Sequence, residues 1–333
     1  MKLDKNSIIL LIDKLKPSNV LVLGDLILDE FIFGYVNRLS REAPIPIIIK
    51  KTHEYVPGGA ANAANNITSL GGKAFSIGVV GNDISGVNLL NTLKNNGINT
   101  DFVIIDSSNP TTTKTRISAS SRQSVKQQVA RLDTLPSNLP LSKDIENKII
   151  DNLNKAVNVC NTILISDYKY GVISDKIIEY CNFLSEKNNI NLIVDSQDNL
   201  SKFQKAKIIT PNQPEAEDVV GFEIKDKESL YKAGKKLLEI TNSEAILITR
   251  GSEGMALFES NGDITEIPAF NKKEVFDVTA GDTVVSTISL ALANNLSLKE
   301  SMYLANLAAS IVVKRFGTST TNLNEMKEEL LNW

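Results

Sequence analysis

Histidine is almost missing from this chain: His53 is the only one in 333 residues. A multi-histidine metal site is thereby excluded, and a serine-histidine triad lacks its GxSxG context. Carboxylates must carry any acid-base chemistry. Cysteine is nearly as scarce. Cys160 and Cys181 show no CxxC or Cys/His ligand spacing and read as free thiols, buried or half-buried, in a reducing compartment. Positive charge is not in excess either. The 36 Lys and Arg against 39 Asp and Glu give a formal net charge of -3, which offers no field for nucleic acid. Long apolar runs are absent: Ile8 to Ile12 is flanked by Lys5, Asp13 and Lys14 and falls far short of the ~20 residues a membrane span needs. No small-residue cleavage site follows it, so no signal peptide is expected and a cytoplasmic location is. Two nucleotide fingerprints are also missing. The first apolar run ends Gly24-Asp25-Leu26 without GxGxxG, and no GxxxxGK(S/T) occurs, which disfavours a dehydrogenase and a P-loop enzyme.

What is present is an ordinary globular composition, 42% hydrophobic and 23% charged, and a small-molecule partner is expected. The length suits one large α/β domain with a small appendage, or two modest domains. Short continuous apolar runs recur at Asn19 to Gly24, Phe75 to Val80, Thr162 to Ile165, Leu192 to Val194, Ile208 to Thr210 and Ala245 to Thr249. Each suits a strand covered on both faces. Between them, segments of helical period run over Ala60 to Leu70, Gly86 to Asn95, Asp144 to Val157, Asp175 to Lys187 and Lys227 to Ile240. This alternation predicts a doubly wound, mainly parallel sheet flanked by helices. Two stretches break it, 30–50 and 111–133, which carry β-branched or alternating patterns without a helix between. They are expected to form a small β-sheet lid inserted into a single domain over 1–333. A lid with open edges and faces points to a homodimer formed through it.

Chemistry concentrates in short motifs. Val275 to Thr283 contains Asp277, Thr279, Ala280, Gly281 and Asp282, followed by a small-residue helix from Val284 to Ala293. Small residues at a helix start let backbone N–H groups approach a phosphate, and the helix dipole adds attraction. Asp282 would then accept the proton of an attacking hydroxyl while Ala280 and Gly281 hold the phosphoryl group; the alternative is that Asp282 merely caps the helix. Gly24-Asp25-x-x-x-Asp29 places two carboxylates beyond the first strand, where open α/β sheets bind ligands. Pro57-Gly58-Gly59-Ala60-Ala61-Asn62 reads as a glycine turn opening a helix, with Asn62 able to donate and accept. Asn212 and Glu215 at a helix mouth could face a metal-phosphate group, or form a capping box. Thr249-Arg250-Gly251 ends a strand in a loop suited to a nucleotide, or is a plain glycine turn. Asn306 to Thr318 reads as a helix with a glycine stop at Gly317, for which core packing is the default.

Taken in order, these pieces resemble the ribokinase-like (PfkB) carbohydrate kinases, over essentially the whole chain. Within that family the chain looks most like bacterial heptose 7-phosphate kinases, through Arg38 to Pro46, Gly58 to Asn65, Lys114-Thr-Arg116, Arg131-Leu-Asp133, Ser166-Asp-Tyr168 and Val275 to Thr279. The resemblance implies ATP-dependent phosphorylation of the anomeric hydroxyl of D-glycero-D-manno-heptose 7-phosphate to the 1,7-bisphosphate. It implies Asp282 as base, Asp25, Asp29, Gly58, Gly59 and Asn62 around the sugar, and Asn212 and Glu215 near ATP phosphates and Mg2+, with Glu215 reaching the metal through water. Thr249, Gly251, Asn306 and Gly317 would line the nucleotide pocket, and Asp277 and Thr279 would sit by a monovalent cation, K+. The sugar's own phosphate would need cations, for which Lys114, Arg116 and Arg131 are candidates, with plain surface solvation as the alternative.

The chain departs from the family in two places. The usual Gly-Ala-Gly-Asp is one residue short between Asp277 and Asp282, and Ser166-Asp-Tyr-Lys169-Tyr-Gly171 stands where the heptose kinases have Asp-Tyr-Gly-Lys-Gly. Rival readings are a kinase for fructose phosphate, ribose or a nucleoside, and an impaired homologue that binds sugar or nucleotide without turnover.

Overall fold

The computed structural model describes residues 4–121, 124–270, 280–315 and 317–331. Helix α1 (Lys5–Lys14), capped by the Asp4 carboxylate, leads into β1 (Asn19–Gly24). A long hairpin of β2 (Leu26–Leu39) and β3 (Pro46–Gly59) runs directly into α2 (Ala60–Ser69), followed by β4 (Lys73–Gly81), α3 (Ile84–Asn95) and β5 (Val103–Asp106). A second hairpin, β6 (Thr113–Ser121) and β7 (Ser124–Thr134), precedes α4 (Lys143–Ala156), β8 (Thr162–Asp167), α5 (Asp175–Asn188), β9 (Asn191–Ser196) and β10 (Ile208–Ile209). Then come α6 (Gln213–Val220), α7 (Lys227–Thr241), β11 (Ala245–Thr249), β12 (Met255–Glu259) and β13 (Ile264–Ile267). Helices α8 (Ala280–Ala293), α9 (Leu298–Val312) and α10 (Leu323–Leu331) follow.

The main sheet has the order β13-β12-β11-β10-β9-β8-β1-β4-β5. It is parallel from β11 to β5 and antiparallel at the β11–β12–β13 end. Its inner strands are mostly apolar because both faces are covered. Val20 and Val22 of β1 join a core with α1, α2, α8, α9 and α10, whereas Leu21 and Leu23 join one with α4 to α7. Ile193 against Leu192 and Val194, and Leu247 against Ile246 and Ile248, repeat that division. Each such side chain contributes roughly 1.5–3 kcal/mol by leaving water. Because the strands are parallel, Gly24, Asp167, Ser196 and Thr249 all end at one edge. Ligands of such sheets sit at that edge.

The second sheet, β3-β2-β6-β7, is the lid. It is longer than the stretches 30–50 and 111–133. The pairs Leu26↔Gly59, Ile27↔Gly58 and Leu28↔Pro57 carry the hairpin down to the main sheet. Pro57-Gly58-Gly59 is therefore the end of a strand and not a turn. Gly59 has φ +55, and a Cβ there would lie 2.7 Å from the Asp25 carbonyl oxygen and from the Ile27 side chain. Only glycine lets the strand bend there into α2. Across the lid Asp29 pairs with Lys114 and Phe31 with Arg116, while Lys114 pairs with Asp133 and Arg116 with Arg131. One face of the lid therefore carries Asp29, Lys114, Arg116 and Arg131 together. The opposite face holds His53, whose ring meets Glu30 at 2.7 Å; the single histidine lies away from the strand-end edge.

Candidate active site

Between the carboxyl edge of the main sheet and the inner face of the lid lies a cavity of about 360 Å³. Of the residues singled out in the sequence, Asp29, Gly59, Lys114, Arg116, Asn212, Glu215, Thr249, Gly281 and Asp282 line it. Ile27, Asp167, Tyr168, Asp195, Gln197 and Thr210 complete the wall.

Asp282 is the third residue of α8, buried at 2% exposure. Its carboxylate reaches away from its own helix: Oδ2 accepts from Asn62 Nδ2 and Oδ1 from the Tyr168 hydroxyl, each at 2.7 Å. Among the described residues neither oxygen accepts from an N–H of its own helix. Asn62 is held in turn, since Asn66 Nδ2 donates to its side-chain oxygen at 3.2 Å and to its carbonyl at 3.0 Å. The Thr283 hydroxyl donates to Asn66 Oδ1 at 2.9 Å, and Ser286 donates to the Ala63 carbonyl. This small-residue seam lets α2 and α8 approach closely and orients the amide of Asn62 with its N–H toward Asp282. Burial pushes the Asp282 carboxyl from its ordinary 3.8 up to about 6, against the two donated hydrogen bonds. Around Gly281 an added Cβ would meet none of the described residues within 4 Å, and Gly281 lines the cavity, so the first turn of α8 opens onto it. Ala280 begins that turn.

On the lid side, Asp29 Oδ1 accepts from Arg116 Nη1 at 2.6 Å and Oδ2 from the Thr318 hydroxyl at 2.9 Å. Gly58 lies directly over it, with a Cβ position 2.8 Å from Asp29 Oδ2. Lys114 Nζ stands 5.5 Å from the ring centroids of both Tyr168 and Tyr170. Burial pulls its ammonium below the usual range, against the attraction of Asp29. Arg131 is outside the cavity wall, in a two-bond pair with Asp133 at 2.7 and 2.6 Å.

At the other end of the cavity, Asn212 and Glu215 form a complete capping box on α6: Asn212 Oδ1 accepts from Glu215 N–H, and Glu215 Oε2 from Asn212 N–H, each at 2.9 Å. Cap and cavity wall coincide, because the box uses only one carboxylate oxygen of Glu215. Burial pushes Glu215 upward. Asp195 is deeper still. Burial, then the charges of Asp282 and Glu215, hold it well above the usual carboxylate range, and the Thr210 hydroxyl at 3.3 Å opposes them. Thr249 bridges to Asn212 beside them.

The remaining residues fall elsewhere. Asp25 was expected beside the sugar, but its carboxylate accepts backbone N–H groups of Tyr168 at 2.8 Å, Tyr170 at 3.1 Å and Val172 at 3.2 Å. With 2% exposure it anchors a loop. Gly251 has φ +52 in an open turn beyond Thr249. Asn306 is buried in α9 and donates to the Pro268 carbonyl at 2.8 Å, away from the cavity wall. Gly317 has φ +80, and a Cβ added there would lie 3.4 Å from the Phe31 ring on the lid side. Asp277 and Thr279 lie outside the described residues. Sequence reasoning assigned no role to Asp167, Tyr168 and Asp195. The two carboxylates carry the same signal as Asp25, an Asp at the carboxyl end of a buried strand; Tyr168 was marked only as part of the Ser166-Asp-Tyr168 resemblance, with no role attached.

A model of the pfkB family carbohydrate kinases matches residues 18–325. The bifunctional protein HldE of Geobacter sulfurreducens is 39% identical over 310 residues, 92% of this chain and 62% of that protein. HldE of Helicobacter pylori is 37% identical over 309 residues, 92% of this chain and 65% of its own length. The chain thus spans somewhat less than two thirds of the curated relatives it matches. Two solved structures share the fold. Arabidopsis thaliana ribokinase, complexed with ribose and ATP, superimposes with a TM-score of 0.71 at 20% identity over 95% of this chain and 99% of that one. Escherichia coli phosphofructokinase-2, in complex with fructose-6-phosphate, gives 0.74 at 18% identity over 95% and 98%. With the family matched along nearly its whole length, the chain belongs to the pfkB family and is an ATP-dependent carbohydrate kinase.

Proposed function

We propose that the chain transfers the terminal phosphoryl group of ATP to the anomeric hydroxyl of D-glycero-D-manno-heptose 7-phosphate, giving the 1,7-bisphosphate. The observation that carries this reading is the lid face that brings Lys114 and Arg116 into the cavity with Asp29 and Asp282, with Arg131 beside them. Two carboxylates serve a sugar and its proton, and cations serve a phosphate the sugar already bears. Asp282 takes the proton of the attacking hydroxyl, and the open first turn of α8 at Ala280 and Gly281 receives the transferring group. The resemblance to heptose kinases chooses the sugar; the cations by themselves fit a fructose phosphate equally. Comparing heptose 7-phosphate, fructose 6-phosphate and ribose as acceptors, by ADP release, tests the choice. Heptose 7-phosphate is expected to give by far the largest kcat/KM. Equal use of another acceptor would defeat the substrate, and saturable binding without sugar-dependent turnover would defeat the kinase.

The oxygen donors fit magnesium. Asp195 and Glu215 are hard ligands at the same end of the cavity, both held above their ordinary range by burial, a state a divalent cation would relieve. Among the described residues no three ionisable groups converge to hold a metal alone, as suits an ion that keeps waters and phosphate oxygens. Glu215 would hold it through water, and magnesium bound there neutralises charge on the ATP phosphates. K+ beside Asp277 and Thr279 belongs to the same proposal. So does a homodimer through the lid, which exposes Leu39, Ile45 and Leu132 at 62%, 57% and 61%. A cytoplasmic location, where ATP is supplied, completes the reading; among the described residues no helix is long and apolar enough to cross a membrane.

A further inference from the structure

Tyr168 stands in the cavity wall without a role in the reading so far. Its hydroxyl donates to Asp282 Oδ1 at 2.7 Å while Asn62 donates to Oδ2 from another element. An aspartate carboxylate otherwise turns in a broad, two-fold torsional well. Two donors from separate elements, α2 and the loop after β8, fix its plane. A carboxylate has about four acceptor sites, so with the donors among the described residues in place each oxygen keeps one lone pair.

The loop that carries Tyr168 is clamped. Asp25 accepts the N–H groups of Tyr168, Tyr170 and Val172, Asp25 N–H donates to the Ser166 carbonyl at 3.2 Å, and Asp167 accepts Lys169 N–H at 2.9 Å. Lys169 at φ +65 and Gly171 at φ +98 turn those N–H groups inward. Donors aimed into a buried place need an acceptor, and Asp25 is the one that faces them. Tyr168 also stays a donor, because burial and the neighbouring Asp282 charge hold its phenol well above its ordinary range.

We infer that Tyr168 is a positioning residue for the transfer: its hydroxyl holds the Asp282 carboxylate in the plane that presents a free lone pair to the acceptor hydroxyl, and Asp25 acts through Tyr168. This rests on Asp282 as the base. Tyr168→Phe tests it cleanly, since the ring and its contact with Lys114 remain and only the hydroxyl goes. A hydrogen bond to a charged group corresponds to a loss of roughly 10-fold to 100-fold, expected in kcat, with KM for ATP and for the sugar phosphate little changed. The acid limb of the kcat profile should move to higher pH, because ionised Asp282 loses a donor. The other charged groups facing Asp282, namely Asp29 from β2, Lys114 from β6 and Asp195 from β9, are untouched in that variant.

Asp25→Asn should reproduce the kcat loss, and in a Tyr168→Phe background should add little, because both changes remove one contact. An unchanged kcat and acid limb in Tyr168→Phe would overturn the inference. Full additivity of the two losses would overturn the part assigned to Asp25. If Asp25→Asn fails to give a cooperative melt, Tyr168→Phe decides alone. Asp282→Asn separates the levels: an active Asp282→Asn removes the base and this inference with it, whereas an inactive one beside a normal Tyr168→Phe removes the inference only.

Discussion

Asp282→Asn is the most informative single change, because stability and turnover should move in opposite directions. The carboxyl is fully buried and raised from 3.8 to about 6, about two units, which corresponds to roughly 3 kcal/mol by which the native state disfavours the ionised form. Asparagine removes that charge at nearly constant shape. It can keep its oxygen on Asn62 Nδ2 and turn its NH2 to Tyr168, whose hydroxyl then accepts, so two charge-assisted hydrogen bonds become neutral ones at a cost of about 1–3 kcal/mol. The sum lies between neutral and a gain of about 2 kcal/mol. Turnover should fall by ~10²-fold or more, because the base is gone.

The pH dependence sharpens the test. A carboxyl whose folded pKa is raised contributes stability that is present below its unfolded value of 3.8 and lost as pH rises through about 6. The advantage of Asp282→Asn should therefore be largest above pH 6 and shrink toward pH 4. Thermal melts at several pH values, with an ADP-release assay at pH 7.5, measure both sides. A variant that melts lower and turns over normally would reduce Asp282 to a structural group and refute the reasoning.

Asp25 is also pushed by burial up to about 6, and burial holds Asp195 well above the usual carboxylate range, so the ligand-free wild type should melt higher at pH 5 than at pH 7.5; a lower melting temperature at pH 5 would show that these carboxyls are not strained by burial. Glu215→Gln keeps an acceptor for Asn212 N–H, so α6 should stay capped and the melting temperature should not fall, while the magnesium concentration for half-maximal rate rises ~10-fold or more. An unchanged magnesium dependence would leave Glu215 a cap alone. Lys169 sits at φ +65 with 56% side-chain exposure and a 3.7 Å contact to Asp198, so Lys169→Gly should be more stable than Lys169→Ala by about 1 kcal/mol, measured by denaturant melts; equal stabilities would contradict a left-handed residue there.

The inner strands of the main sheet were legible because burial on both faces writes itself into short runs of consecutive apolar residues, as in Val20 to Leu23 and Ala245 to Ile248, whereas the four-residue β5 at the edge was not read. Met255 to Phe258 satisfies the same criterion between Gly254 and Gly262, so the edge hairpin of β12 and β13 could have been read from it. The lid was legible as a gap in the helical pattern, but not its ends. Leu26 to Leu28 are buried like core residues although they already belong to the lid, and Gly58-Gly59 imitate a turn while pairing in a strand. The candidate site divides in the same way. Asp29, Asn212, Glu215 and Asp282 follow from position alone, beyond a strand or at the start of a helix, where backbone geometry dictates a polar group. The lysine in place of glycine at 169 is visible as a departure, and its left-handed backbone explains why glycine suits that position. What could not be read is the pairing of distant groups. Asp25 and Asp29 look alike as carboxylates beyond β1, and only the path of residues 168–172 makes the first an anchor and leaves the second in the cavity wall. Tyr168 meets Asp282 across 114 residues, and the Ser166-Asp-Tyr168 stretch marks the loop without announcing that contact. The identity of the base is thus a local property of α8, whereas its aim depends on a loop on the other side of the cavity. Substitutions in that loop should accordingly change how well Asp282 works without touching the motif by which it is recognised.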